Sequence, residues 1–459
     1  MKILDKKLKI PESVKNEITE IVNKFNSKGY ECYMVGGSVR DLVLGHDVLD
    51  YDFATNALPE DVTKLFRRVV PTGIKHGTVS VLTKQRQYEI TTYRSDGKYL
   101  DGRRPEEVTF SKTLEEDINR RDFTINGLAY DIKNEKIIDY IDGLLDIDKR
   151  IIRTIGNPIH RFSEDGLRPY RACRFAAKLY FSIEKETLAA ISETLDIAKI
   201  VSAERIRDEL LKLMDAEKPS IGLEYMRESG LLQLILPEFL DGINITQNKY
   251  HVYDIYYHGL YSCDSIPGSD RIVKFAALLH DIGKTVTRRE VVDGENTFYN
   301  HEVIGAKMTR RIMKRLKFSN EEIAKVTNLI VNHMFHYVDE WTDGAVRRFM
   351  RKVGMENLND LILLRLADRR GNGQRDGLPA PILELQKRID KVIEEDSALT
   401  VKDLDVDGHV IMNEFNIMPG PVIGKILNEL LEMVLDDPET NKREILLTKA
   451  REIFDNIKE

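Results

Sequence analysis

The chain has 459 residues, 42% hydrophobic and 32% charged, with a formal net charge of −7, the balance of a water-soluble protein of roughly two to four domains. No apolar run approaches the ~18 residues of a membrane helix, the charged start MKILDKKLKIPESVKNEITEIV lacks the apolar core of a signal peptide, and the scattered Cys32, Cys173 and Cys263 offer neither a disulfide framework nor a cysteine-built zinc site. These features predict a cytoplasmic protein with no membrane partner. They leave nucleic acid open, because local basic surface decides that, and Arg103-Arg104, Arg120-Arg121, Arg168/Arg171/Arg174, Lys307 to Lys317 and Arg347 to Lys352 are basic clusters.

In chain order, residues 13–29 read as an amphipathic helix ending near Gly29. CYMVGG, DYDFAT, TVSVLT, YEITTY and KIIDYID, between residues 31 and 140, read as short strands punctuated by glycine and proline. From about residue 160 the pattern is helical almost throughout, with breaks at Pro237 to Gly242 and at GNGQRDGLPAP (371–381). Strands followed by a long run of helices predict an α+β head joined to an all-α body.

Asp50 and Asp52 flank Tyr51 in a strand-like run, so alternation puts both carboxylates on one face. Such charges repel unless cations neutralise them, and hard oxygen ligands suit Mg²⁺ shared with substrate phosphates. Two such ions can activate a hydroxyl and stabilise a leaving pyrophosphate. A lone Asp-x-Asp is weak evidence, since the pattern is more often a turn or a solvated edge. Upstream, Gly36-Gly37 follows the apolar YMV and precedes a helix start, which lets backbone N–H groups approach phosphates. Arg40 beside it can reach a triphosphate, with Asp41 orienting it; a tight structural turn is the other reading of the glycine pair. Residues 76–93 predict a hairpin turning near Lys84-Gln85-Arg86. Glu89 in its returning strand either faces solvent or joins the aspartates as a third catalytic carboxylate.

A second constellation lies downstream: His258, His280-Asp281, His301, His333 and Asp368. AALLHDIGK (276–284) places adjacent histidine and aspartate at the end of an apolar helix, where both can ligate one ion. His251, His336 and Lys284 lie nearby in sequence.

The first block, GGSVRDLVLGHDVLDYDFAT (36–55), resembles the head of the class II CCA-adding enzymes and bacterial poly(A) polymerases, within the polymerase-β-like nucleotidyltransferase superfamily. RSDGKYLDGRRPEEVTF (94–110) resembles that family's flexible loop, RRDFTINGLAYD (120–131) its ribose-contacting motif, and IDGLLDIDKRIIR (141–153) its hinge. SEDGLRPYRACRF (163–175) resembles its nucleotide-selecting helix, and SAERIRDELLKL (202–213) the neck segment that supports it. The similarity covers roughly residues 30–215. It implies template-independent addition of C, C and A to the tRNA 3′ end from CTP and ATP with Mg²⁺, or else a poly(A) polymerase or an A-adding enzyme. It also implies that Arg121 and Asp122 contact triphosphate and ribose and that Asn126 braces them. Asp165, an acceptor, and Arg168, a donor, would read the base edge, while Arg171 and Arg174 hold phosphate or pair with carboxylates. A salt-bridged helix surface is the alternative reading of Glu164, Arg168 and Arg171. Pro169 predicts a kink or a helix start.

The histidine series resembles the HD phosphohydrolase superfamily. That implies a divalent metal held by His258, His280, Asp281 and Asp368, with His301 and His333 supporting a second ion. Phosphomonoesters or 2′,3′-cyclic phosphates are the implied substrates. An HD fold that only binds RNA, or an HD phosphohydrolase with an RNA-binding head, are the other readings. The expected domains are a nucleotidyltransferase head with a small mixed sheet and helices (1–150), an all-α neck (151–240), an HD domain (241–375) and a helical tail (376–459) that binds tRNA.

Overall fold

The computed structural model describes residues 1–74, 77–96, 108–247, 252–268, 270–290, 296–373, 376–394 and 400–458. Most of the expected flexible loop, including Arg103-Arg104, and His251 lie outside the described residues. The chain divides into two compact units, Met1–Pro237 and Glu238–Glu459.

The first unit opens with β1 (Lys2–Asp5), α1 (Glu12–Asn26), β2 (Cys32–Val35), α2 (Gly37–Leu44), β3 (Asp52–Thr55), α3 (Pro59–Leu65), β4 (Val69–Gly73), β5 (Thr78–Leu82) and β6 (Gln87–Thr92). There follow β7 (Arg94–Asp96), β8 (Val108–Phe110), α4 (Leu114–Asn119), β9 (Leu128–Asp131) and β10 (Lys136–Asp139). Eight strands form one mixed sheet in the order β1-β10-β9-β2-β3-β6-β5-β4, and β7 and β8 form a separate ribbon. Within the large sheet only β3 and β6 run parallel. That pairing sets Asp52 directly across from Glu89. α1 begins and ends near its expected limits because Val14, Ile18, Ile21, Val22 and Phe25 recur at helical spacing and are buried. The alternation of apolar residues did not reveal β1, β4 or β9. β1 is an exposed edge of four residues, and β9 is four residues buried almost throughout, so neither carries a two-residue period.

Helices follow: α5 (Gly143–Lys149), α6 (Pro158–Glu164), α7 (Arg168–Leu179), α8 (Lys185–Glu193), α9 (Leu195–Lys199), α10 (Ala203–Met214), α11 (Pro219–Glu228) and α12 (Leu231–Ile235), with α13 (Pro237–Leu240) at the division. α7 packs against α10 and α11. Residues 163–175 are not one helix, contrary to the spacing argument for Glu164, Arg168 and Arg171. α6 stops at Glu164, Asp165 is extended, and α7 starts at Arg168 with Pro169 in its first turn. Proline is at home there, since the first-turn N–H has no intrahelical acceptor to lose. Pro169 therefore starts a helix rather than kinking one.

The second unit is helical: α14 (Ile255–Asp264), α15 (Arg271–Leu279), α16 (Lys284–Thr287), α17 (His301–Arg315), α18 (Asn320–Asn332), α19 (Asp343–Val353) and α20 (Leu358–Gly371). α14 packs on α15 and α20, and α18 on α15 and α17. Beyond them α21 (Ala380–Glu394), α22 (Gly408–Phe415), α23 (Pro421–Asp436) and α24 (Arg443–Lys458) follow. The last three enclose their own apolar core around Ile411, Ile426, Leu430 and Leu446. Among the described residues no helix is long and apolar enough to cross a membrane.

Candidate functional site

Asp52 is the first residue of β3, and Asp50 precedes the strand in an exposed position. Tyr51 between them is buried. Asp50, Asp52 and Glu89 line one cavity of about 620 Å³ with Leu49, Tyr51, Arg86 and Gln87. Burial, with repulsion from Glu89 and Asp50, pushes the Asp52 carboxyl up to about 6 against the pull of Arg121. The three are oxygen donors of the kind a hard divalent cation takes, although their oxygens do not lie in one ion-sized group in this structure.

Asp52 and Glu89 also line a second cavity, of about 550 Å³. Gly36, Gly37, Arg40, Arg121, Asp122, Asn126, Asp165, Arg168, Arg171 and Arg174 all line it, and with Arg94, Arg120 and Arg205 it carries eight arginines. Gly36 caps α2 at φ 76°, and a Cβ there would lie 3.1 Å from Arg121 Nη1. Only glycine takes that backbone without strain and leaves the guanidinium its place.

The polar groups form a braced network. Arg40 donates to Asn126 Oδ1 (2.5 Å) and to Asp41 (2.8 Å). Asn126 donates to Asp122 Oδ1 (3.0 Å), and Arg171 grips Asp122 Oδ2 with Nε and Nη2 at 2.8 and 2.6 Å. Burial alone would raise the Asp122 carboxyl; Arg171 and the hydrogen bonds from Asn126 and Phe123 hold it far below the usual carboxylate range. Asp122, expected at the triphosphate or ribose, thus has both oxygens engaged inside the protein. Asp165 accepts from Arg205 Nη2 at 3.0 Å to each oxygen, and Arg168 donates to Glu164 (2.5 Å). The two candidate base readers are therefore each held by a different partner. Arg174 pairs with Glu209 (2.6 Å), the carboxylate alternative left open for it. Arg40, Arg171 and Arg174 surround the Phe175 ring at 5.1, 5.4 and 4.1 Å.

Several of these residues escaped the sequence reading. Asp117 binds both Arg120 (2.8 Å) and Arg121 (2.9 Å); its spacing of three and four residues before that arginine pair was the available signal. Arg205 and Glu209 are likewise four apart in ERIRDEL, one face of α10. Phe175 gave no signal.

In the second unit all six expected residues meet. His258 Nε2 lies 3.1 Å from His280 Nε2 and 3.3 Å from both Asp281 Oδ2 and Asp368 Oδ1. Asp281 Oδ1 faces His301 Nε2 (3.3 Å) and His333 Nε2 (3.6 Å). His280, His301 and His333 each turn Nδ1 to a backbone carbonyl, of Ala277, Phe298 and Ile330, at 2.8, 2.8 and 2.6 Å. That fixes the tautomer and leaves the inner nitrogens as ligands. Asp281 Oδ1, His301 Nε2 and His333 Nε2 are buried with no hydrogen-bond partner among the described residues. His258, His280 and Asp368, and His280, Asp281 and His333, each have ligand atoms close enough to hold an ion. Lys284 donates to Asp281 (2.6 Å) and Gln247 (2.6 Å), and Arg365 pairs with Asp368 (2.8 Å). His336 is exposed and outside the cluster.

The strand-built head with its carboxylates and arginine-lined cavity has the architecture of a nucleotidyltransferase, and the helical body carries the ligand arrangement of an HD domain. Residues 32–153 match the family model of the poly A polymerase head domain, residues 180–242 the "Probable RNA and SrmB-binding site of polymerase A", and residues 249–373 the HD domain. The chain is 33% identical over 434 residues to the CCA-adding enzyme of Limosilactobacillus reuteri, covering 94% of this chain and 95% of the relative. It is 33% identical over 442 residues to that of Enterococcus faecalis, covering 96% and 97%. The crystal structure of the Bacillus stearothermophilus CCA-adding enzyme in complex with CTP aligns with a TM-score of 0.74 at 27% identity, over 96% of this chain and 98% of that one. The chain belongs to the family of CCA-adding enzymes. Its activity is nucleotidyl transfer of that kind, and the polyadenylating, A-only and purely phosphohydrolytic readings are not favoured.

Proposed function

We propose that the protein adds C, C and A to the 3′ end of tRNA from CTP and ATP, in the cytoplasm, through the head site. The observation that carries this reading is Asp52 opposite Glu89 at a cavity lined by eight arginines. Asp50 and Asp52 would hold Mg²⁺, which when bound neutralises phosphate charge and activates the attacking hydroxyl. The α2 N-terminus at Gly36-Gly37 and Arg121 bind the triphosphate. Arg40, Asn126, Asp122 and Arg171 keep that wall rigid. Glu89 takes the proton of the acceptor 3′-hydroxyl. The new bond forms from that oxygen to the α-phosphorus as the bond to pyrophosphate breaks. Asp165 and Arg168 read the base, which requires each to exchange its partner, Arg205 or Glu164, for the nucleotide. On this reading residues 1–150 perform transfer, 151–240 select the nucleotide, 241–375 form the HD domain and 376–459 a tail that contacts tRNA.

The HD ligands support a second activity, hydrolysis of phosphomonoesters or cyclic phosphates at RNA ends. His258, His280, Asp281 and Asp368 would hold one divalent cation, with His301 and His333 toward another. A cation there supplies Lewis-acid activation of the ester. Incubation with tRNA lacking its 3′ CCA and labelled CTP or ATP, singly and together, tests the main reading. Ordered C, C, A addition is expected; open-ended A addition to any RNA would overturn it.

A further inference from the structure

Arg161 falls between the hinge and the nucleotide-selecting segment, in α6. Its side chain is 15% exposed, and its guanidinium donates to acceptors in three segments. Nε bonds the Ile155 carbonyl (3.0 Å), Nη2 the Asn119 carbonyl (2.8 Å), and Nη1 both the Arg120 carbonyl (3.3 Å) and Glu164 Oε2 (3.0 Å). Asn119 and Arg120 close α4 and Glu164 closes α6, so one side chain ties the hinge to both helix ends. Arg120, Asp165 and Arg168 line the arginine-rich cavity, whereas Arg161 is not among the described residues that line it. It therefore acts on a nucleotide only through its neighbours.

Arg168 shares two of these acceptors. It donates to Glu164 Oε2 (2.5 Å), to the Arg120 carbonyl (3.2 Å) and to the Arg161 carbonyl (2.8 Å). These bonds are part-buried, where an acceptor left without a donor costs more than the lost bond contributed. To reach a base edge, Arg168 must leave Glu164. Glu164 and the Arg120 carbonyl keep a donor when it does, because Arg161 is already bonded to both. We propose that Arg161 is a positioning residue that frees Arg168 to read the base, by keeping both acceptors satisfied as Arg168 turns to the nucleotide. Without Arg161 the same two acceptors depend on Arg168 and hold it back. This rests on the reading above that Asp165 and Arg168 select the nucleotide.

The test uses the full chain with Mg²⁺ and two transcripts: a tRNA lacking its 3′ CCA, given CTP, and a tRNA ending in CC, given ATP. Arg161→Met should raise KM for both nucleotides about tenfold, the worth of one charge-assisted hydrogen bond. The preference for CTP over UTP and for ATP over GTP should fall by the same factor, because nucleotides that Arg168 does not read lose nothing. Inhibition by pyrophosphate, which reports on the triphosphate wall, should stay within about twofold. Arg161→Lys keeps the charge but donates from a single nitrogen, and its KM and preference should fall between. It carries the test if thermal melting shows Arg161→Met to be unfolded. Adding Glu164→Gln to either variant removes the charge that holds Arg168 and should bring KM back toward the wild type. A residue that only supports the fold predicts a further loss instead. Unchanged KM and preference, pyrophosphate inhibition weakened as much as KM rises, or a double variant worse than the single one overturns the proposal. Arg168→Met is the control. If it keeps KM and preference, the base-reading assignment itself fails, whereas its loss of preference beside unaffected Arg161 variants refutes only this proposal.

Discussion

At the scale of single residues, charge placement separates the groups that react from those that brace. Asp52 is held in a conformation that penalises its own ionisation. An acid whose folded pKa lies above its unfolded value destabilises the fold once pH exceeds the unfolded value, and fully above the folded one. Asp52→Asn should therefore raise the melting temperature of the metal-free protein at pH 8, by a stability gain on the order of 2 kcal/mol. The two proteins should converge near pH 4, where the wild-type carboxyl is protonated as well. The same variant should lose transfer by at least about a hundredfold, since a metal ligand is gone. Equal melting at pH 8 would show that the carboxylates do not strain the empty site. Asp122 has the opposite sign. Its folded pKa is depressed, so its contribution is present above about pH 4 and disappears as pH falls toward the folded value. Asp122→Asn leaves the partly exposed Arg171 without this charge partner and should cost about 2 kcal/mol at pH 7. Melting curves from pH 7 to pH 3 should show the wild type losing part of that advantage over the variant.

At the scale of elements, close approach of backbones sets the HD ligands. A Cβ on Gly283 would lie 2.1 Å from the His301 carbonyl oxygen and 2.6 Å from the Gly305 nitrogen. Gly283 caps α16, and His301 begins α17. The absent side chain is thus what lets α17 bring His301 against Asp281. Gly283→Ala should displace the start of α17, destabilise the unit by about 1–3 kcal/mol and reduce bound divalent metal, read by elemental analysis after loading and desalting. Unchanged metal content would remove the glycine contact from the explanation. Elements also mark what local pattern conveys. Asp52 and Glu89 stood out locally as charges in strand-like runs, but the alternation expected to pair Asp50 with Asp52 does not apply, because β3 begins only at Asp52 and Asp50 lies before it. The meeting of Asp52 with Glu89 was less legible, since the β3–β6 pairing joins strands far apart in sequence. The break between Glu164 and Arg168 was hidden because the four-residue spacing of a salt bridge is the same within a helix and across a turn, and here Arg168 reaches back over Asp165 to Glu164. Pro169 was the visible sign of it.

At the scale of the molecule, a net charge of −7 coexists with a cavity of eight arginines, so the total conceals the surface that matters for polyanions. Most of those arginines were named from motifs; Arg94 and Arg205 came together with the rest only by folding. The two units each carry a cluster of chemistry-bearing residues: Asp50, Asp52 and Glu89 around one cavity of the first, and the His258 to Asp368 cluster with its ion-sized ligand groups in the second. No residue is common to both clusters. Substitutions without shared partners act additively, which makes the two chemistries separable in one intact chain. Asp281 contacts His258, His280, His301, His333 and Lys284, so Asp281→Ala removes the residue on which the HD cluster converges. Its expected outcome is loss of metal-dependent phosphate release from 2′,3′-cyclic or terminal RNA phosphates, with the rate of C and A addition kept within about twofold. Asp52→Ala should do the reverse. If Asp281→Ala instead slows nucleotide addition while its melting temperature and RNA affinity match the wild type, the HD metal serves the transferase and the two sites are one system. If phosphate release survives Asp281→Ala, hydrolysis arises elsewhere and the HD ligands hold a structural ion.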